Sequence, residues 1–167
     1  GRDYGDLLKD EDVFPIFIDA NDEILSMPPI INSEKTGRID ESTKDIFIEC
    51  SGDNLAYLKK CMNIMIAAIS EMGGRVYGME IKDSKDGNFV SPDMSCEEME
   101  FKIEDIEKTL GITLNEKDVR SLLAKMGILA RSGNRKQVIG NRTMVAEIPA
   151  YRADVLHWID LAEEVAI

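Results

Sequence analysis

Near the end of the chain, Asp160, Glu163 and Glu164 follow one another at helical spacing, and Asp154 stands six residues before the first of them. On a helix, residues three and four apart are neighbours, so like charges there repel by about 0.2–0.5 kcal/mol per pair. No Lys or Arg lies within the predicted helix, so compensation has to come from outside it. A hard divalent cation suits such a set, because oxygen ligands select magnesium or calcium. The plainer reading is a solvated acidic face, with Asp154 near the positive end of the helix dipole.

The element that positions these carboxylates reads as a strand up to Ile148, a break at Pro149, and a helix from about Asp154. Asp154 stands in N-cap position. At 100° per residue, Val155, Trp158, Ile159, Ala162, Val165 and Ala166 form the apolar face. His157, the only histidine, lies within this stretch, so its expected role is structural or surface. No P-loop and no G-x-G-x-x-G is present, and no nucleophile–base constellation stands out.

Totals narrow the classes. The net charge of −12 disfavours whole-chain affinity for nucleic acid or anionic membrane. No apolar run has the length of a membrane span. Three cysteines (Cys50, Cys61, Cys96) without C-x-x-C spacing argue against a disulfide framework or a cysteine zinc site, and the default is a reducing compartment. A first residue other than Met, and an amphipathic pattern that runs to Ile167, predict a piece of a longer protein.

Taken in order, Phe14–Ile18 and Ile24–Met27 flank turn chemistry and predict a hairpin. Asp45–Cys50, rich in β-branched and aromatic residues, is the clearest predicted strand. Leu55–Met72 is a helix with an apolar stripe wide enough to predict that most of it is buried, ended by Gly73-Gly74. Arg75–Ile81 returns as a strand, Lys82–Asn88 is a turn, and a domain boundary is placed near Pro92. The second unit opens with an alternating strand at Glu98–Lys102 and a short helix Ile103–Leu110 stopped by Gly111. A helix capped by Asn115 and ended before Gly127 follows, then short strands at Ile128–Ala130, Lys136–Ile139 and Thr143–Ile148. The class is α+β: a mixed sheet-plus-helix part over 1–92, then a small winged-helix-like domain over 93–167 that ends in the acidic helix.

Lys117–Arg142 carries seven bases against one acid, Asp118. It falls on the second short helix and the wing, so Lys117, Arg120, Arg131, Arg135 and Lys136 are candidate nucleic-acid contacts. The alternative is an ordinary solvated basic face, and the lack of interleaved aromatics weakens single-strand binding. A non-catalytic winged-helix adaptor is therefore one reading of the whole chain.

The run Pro149-Ala150-Tyr151-Arg152-Ala153-Asp154, with Leu156-His157, Asp160 and Glu163-Glu164-Val165-Ala166, resembles the β subunit of phenylalanyl-tRNA synthetase of the archaeal and eukaryotic type. Ser26–Ser33 and Asp45–Gly52 resemble two signatures of its editing domain, and Met99–Gly111 resembles the start of the next domain. The resemblance implies an α/β heterotetramer in the cytoplasm that joins phenylalanine to its tRNA with ATP. The α subunit carries synthesis, so no residue of this chain is expected to catalyse aminoacylation. It also implies a magnesium ion shared with the α subunit and held by Asp154, Asp160, Glu163 and Glu164. An editing pocket for mischarged tyrosyl-tRNA would draw on Ser26, Glu49 and Ser51; the family more often has Asp and Thr at the last two. The expected partners are the α subunit and tRNA, with no membrane and no DNA.

Overall fold

Asparagines start two of the helices, and glycines follow the ends of three. The computed structural model of the chain describes residues 3–133 and 142–167, and its α-helices and antiparallel sheets confirm the α+β class. The chain forms two compact units, Gly1–Asp53 and Asn54–Ile167, described separately below.

In the first unit, β1 (Phe17–Ile18), β2 (Ile24–Met27) and β3 (Ile31–Asn32) make an antiparallel sheet in that order. The predicted hairpin is β1–β2. The Asp19 carboxylate accepts the N–H groups of Asn21 (2.8 Å) and Glu23 (2.9 Å) in its turn, and those bonds hold the carboxyl below its usual range. The predicted strand at Asp45–Cys50 joins no ladder among the described residues. Ile46 and Phe47 are about half exposed, although Phe47 packs edge-on against Phe17 at 5.9 Å. Strand propensity describes side chains that suit a pleated, half-buried surface; a ladder also needs a second strand.

In the second unit, α1 (Leu55–Glu71) is capped by Asn54, whose side chain accepts the Tyr57 N–H, and Gly73 supplies the positive φ that follows its end. Its predicted burial is not observed: only Asn63 and Ile66 are buried, while Tyr57, Ile64 and Met65 are exposed. The helix is apolar nearly all round, and the described residues cover only one line along it. β4 (Met79–Asp83) and β5 (Gly87–Ser91) form a hairpin whose second strand the sequence reading missed, and the strand expected from Arg75 begins only at Met79. Asp83 accepts the N–H groups of Lys85 and Asp86, and Gly87 takes φ +79°.

The rest of this unit is β6 (Glu97–Lys102), α2 (Ile103–Leu110), α3 (Glu116–Lys125), β7 (Leu129–Ser132), β8 (Thr143–Ile148) and α4 (Trp158–Ala166). The sheet runs β6-β8-β7, all antiparallel. The predicted strand at Lys136–Ile139 lies outside the described residues. Gly111 ends α2 in the left-handed conformation, and the Asn115 side chain accepts the Asp118 N–H at the start of α3. The three helices close over one face of the sheet. Ile103, Ile106, Val119, Leu123, Met144 and Leu161 are all fully buried there. Arg142 pins β8 to α2: its guanidinium donates to Glu104 (2.8 Å), Glu107 (2.5 Å) and the Leu114 carbonyl (2.7 Å). Burial pushes the Glu104 carboxyl up, but the Arg142 bonds and backbone N–H groups outweigh it and hold the group below its ordinary value.

Candidate functional site

The acidic helix starts later than its sequence suggests. His157, not Asp154, is the N-cap of α4, and its ring accepts the Ile159 N–H at 3.4 Å. Asp160 closes the capping box, with one carboxylate oxygen accepting the N–H groups of His157 (2.7 Å) and Leu156 (2.8 Å). The buried face is Leu161, Ala162 and Val165, with Trp158 half-buried; Ile159 and Ala166 point outward, against expectation. Leu161 was missed because Val155, which lies before the helix, was counted in its stripe and drew the face toward Ile159 and Ala166, whereas 158, 161, 162 and 165 is the i, i+3, i+4, i+7 pattern.

Asp154 is free of capping because Arg152 holds it. The Arg152 Nε and Nη2 each donate to one Asp154 oxygen at 2.8 Å, and Nη2 also donates to Glu164 at 2.5 Å. Nη1 reaches the Met126 carbonyl at 3.2 Å, at the end of α3. This guanidinium is the compensation that the repulsion argument required, and it comes from the same chain. It holds the Asp154 carboxyl below its usual range, and its own pKa is raised by the bonds to Asp154 and Glu164. The second Glu164 oxygen is buried without a hydrogen-bond partner, and Glu163 is exposed. Among the described residues, no three His, Cys, Asp or Glu side chains converge to hold a metal ion. The donor chemistry and the unpartnered Glu164 oxygen suit a divalent cation only as part of a ligand set completed from elsewhere.

In the first unit, Ser26 and Glu49 line one cavity of about 310 Å³, together with Leu25, Asn32, Arg38 and Phe47. Ser26 is buried, and its hydroxyl has no hydrogen-bond partner. Ser51 is not among the lining residues. Its hydroxyl donates to Glu49 at 2.8 Å, three residues before the Asn54 cap of α1. Sequence spacing alone could not have brought Ser26 and Glu49 together.

The basic run is partly spent inside the fold. Arg120 pairs with Glu116 (3.4 Å), and Arg131 pairs with Glu98 (2.7 Å) and Glu147 (3.6 Å). Lys117 is exposed and has no ion pair among the described residues. Arg135 and Lys136 lie outside the described residues. Among the described residues no helix is long and apolar enough to cross a membrane.

Residues 99–167 match the tRNA synthetase B5 domain. Over its whole length the chain is 35% identical to the phenylalanine–tRNA ligase beta subunit of Pyrococcus horikoshii and 32% identical to that of Thermococcus kodakarensis. It spans 29% and 28% of those proteins, well under a third of either. Among solved structures it resembles an N-terminal fragment of the phenylalanyl-tRNA synthetase beta subunit from Pyrococcus horikoshii. The TM-score is 0.85 at 34% identity, over 99% of this chain and 45% of that one. The fold, the B5 match over the acidic helix and the full-length similarity agree: over its whole length the chain is similar to part of the phenylalanine–tRNA ligase beta subunits.

Proposed function

We propose that this chain is the part of a cytoplasmic phenylalanine–tRNA ligase β subunit that clears mischarged tyrosyl-tRNA and docks the α subunit. The functional boundary is placed at 92/93, and the ATP-dependent joining of phenylalanine belongs to the α subunit of the heterotetramer. The observation that carries the editing role is the shared cavity of Ser26 and Glu49. A buried hydroxyl without a partner and a carboxylate oriented by Ser51 suit a ligand that brings its own O–H group. Glu49 would accept the phenolic proton of tyrosine, and Ser26 would satisfy the phenolic oxygen. Phenylalanine would leave both unpaired, and that is how such a site rejects it. Water would then attack the ester carbonyl that links tyrosine to the tRNA.

The test uses the whole enzyme, α and β together, with Ser26→Ala or Glu49→Ala in β. Deacylation of tyrosyl-tRNA should fall by about tenfold or more, the equivalent of one lost charged hydrogen bond, while charging with phenylalanine is unchanged. Wild-type deacylation rates in both variants would refute the pocket assignment.

The docking role rests on α4. A magnesium ion bridging α4 to the α subunit would be held here first by Asp160 and Glu163, one helical turn apart, and the buried, unpartnered oxygen of Glu164 would join them only by turning outward. Asp154 would contribute only by leaving Arg152. Bound there, the ion would neutralise carboxylates of two chains at once. Glu163→Gln, which touches neither the cap nor the core, should weaken assembly with the α subunit several-fold in magnesium, measured by sedimentation. Assembly that is identical in magnesium and in chelator, for wild type and variant alike, sinks this reading. Contact with tRNA through the basic run would fall first to Lys117, whose charge is not paired within the described fold.

A further inference from the structure

We infer that Arg152 is the resident cation of the acidic cluster, filling the position between Asp154 and Glu164 that a divalent ion would otherwise occupy. This goes beyond the docking role and does not depend on it, since it concerns this chain alone. A single nitrogen, Nη2, donates to both carboxylates, so both converge on one cationic point. The remaining donors fix that point in space: Nε completes the fork on Asp154, and Nη1 reaches the Met126 carbonyl. The Arg152 side chain is only 17% exposed and that of Glu164 only 11%. A charged carboxylate so buried needs a partner, and no second cation reaches it among the described residues.

The four acids therefore divide by task. Asp154 and Glu164 belong to Arg152, Asp160 belongs to the helix start, and Glu163 faces solvent. The guanidinium ties α4 to the end of α3 and to the turn in which the Arg152 N–H donates to the Pro149 carbonyl at 2.9 Å. The acidic helix can consequently fold without metal. Removing the guanidinium would vacate a position lined by two carboxylates, and calcium or magnesium would then have something to bind.

The experiment is thermal unfolding of the chain in chelator, magnesium chloride and calcium chloride at matched ionic strength. Wild type should melt at one temperature in all three. Arg152→Gln should melt lower in chelator and regain several degrees in millimolar calcium or magnesium. Arg152→Lys should keep a cation at the same point and stay insensitive to the ions. The double variant Arg152→Gln/Glu164→Gln removes the buried charge together with its partner. It should fold in chelator, melt above Arg152→Gln and lose the ion response. The inference is overturned if wild type gains as much from the ions as Arg152→Gln does. It is equally overturned if Arg152→Gln shows no gain, or if the double variant is no better than the single one. Should Arg152→Gln fail to fold in chelator, folding of the double variant supports the charge role, and its failure overturns it.

Discussion

Leu161→Ala lowers the unfolding free energy by about 3–5 kcal/mol, the range for a fully buried leucine truncated in a close-packed core. Leu161 has no exposed surface and sits in the cluster where α4 meets α2, α3 and β6. The cavity left behind would lie beneath the only helix that carries Asp160, Glu163 and Glu164, so the acidic face should loosen with the core. Urea unfolding followed by Trp158 fluorescence reads the loss, and Ile159→Ala is the control. Ile159 is 41% exposed and its truncation should cost about 1 kcal/mol or less. If the two variants unfold alike, the helix is in the phase read from sequence and the buried face described here is wrong.

The second large effect is expected at Asn63. This residue is 6% exposed in the middle of an apolar helix, and its amide donates to the carbonyls of Asp93 (2.9 Å) and Ala150 (3.3 Å). One side chain thereby ties α1 both to the segment before β6 and to the turn that leads to Arg152. Asn63→Ala removes both bonds and leaves two carbonyls short of a donor, a loss of about 1–3 kcal/mol. Asn63→Leu, which restores the volume but not the amide, should lose nearly as much. One turn earlier, Lys60 pairs with the exposed Glu97 at 2.6 Å, and Lys60→Met should cost less than about 1 kcal/mol. Denaturant midpoints of the three variants decide it. A leucine variant as stable as wild type would show that the amide bonds contribute nothing.

What could be read from the sequence was what is local. The cap at Asn115, the stops at Gly73 and Gly111, and the alternation of β6 each depend on residues within a turn of one another, and all are observed. What depends on a distant partner was not legible. The β-rich stretch Asp45–Cys50 has no ladder among the described residues. The apolar surround of α1 promised a burial that only one line of it has. The start of α4 was misread because Asp154 has the chemistry of a cap, yet the arginine two residues before it claims that carboxylate and gives the cap to His157. The β4–β5 hairpin was half seen: its turn was recognised over Lys82–Asn88, but no strand was read after it, where β5 runs to Ser91. At the sites, Ser26 and Glu49 came from resemblance, and only the fold shows them on one cavity. Arg152 stood in view, but Glu164, twelve residues on, could be joined to it only by the packing of α4.

Asp160 writes two instructions with one carboxylate. It sets where α4 begins, and it supplies negative charge to the outer surface. The two properties are coupled at that position: a substitution that removes the acceptor oxygen together with the charge also unpins the first turn of α4, and only a residue that keeps an acceptor there can separate them. Glu163 carries no such double duty. Any sequence variation that retunes the surface while keeping the fold should therefore pass through 163 before it touches 160, and a designer who wants to regrade this face should begin there.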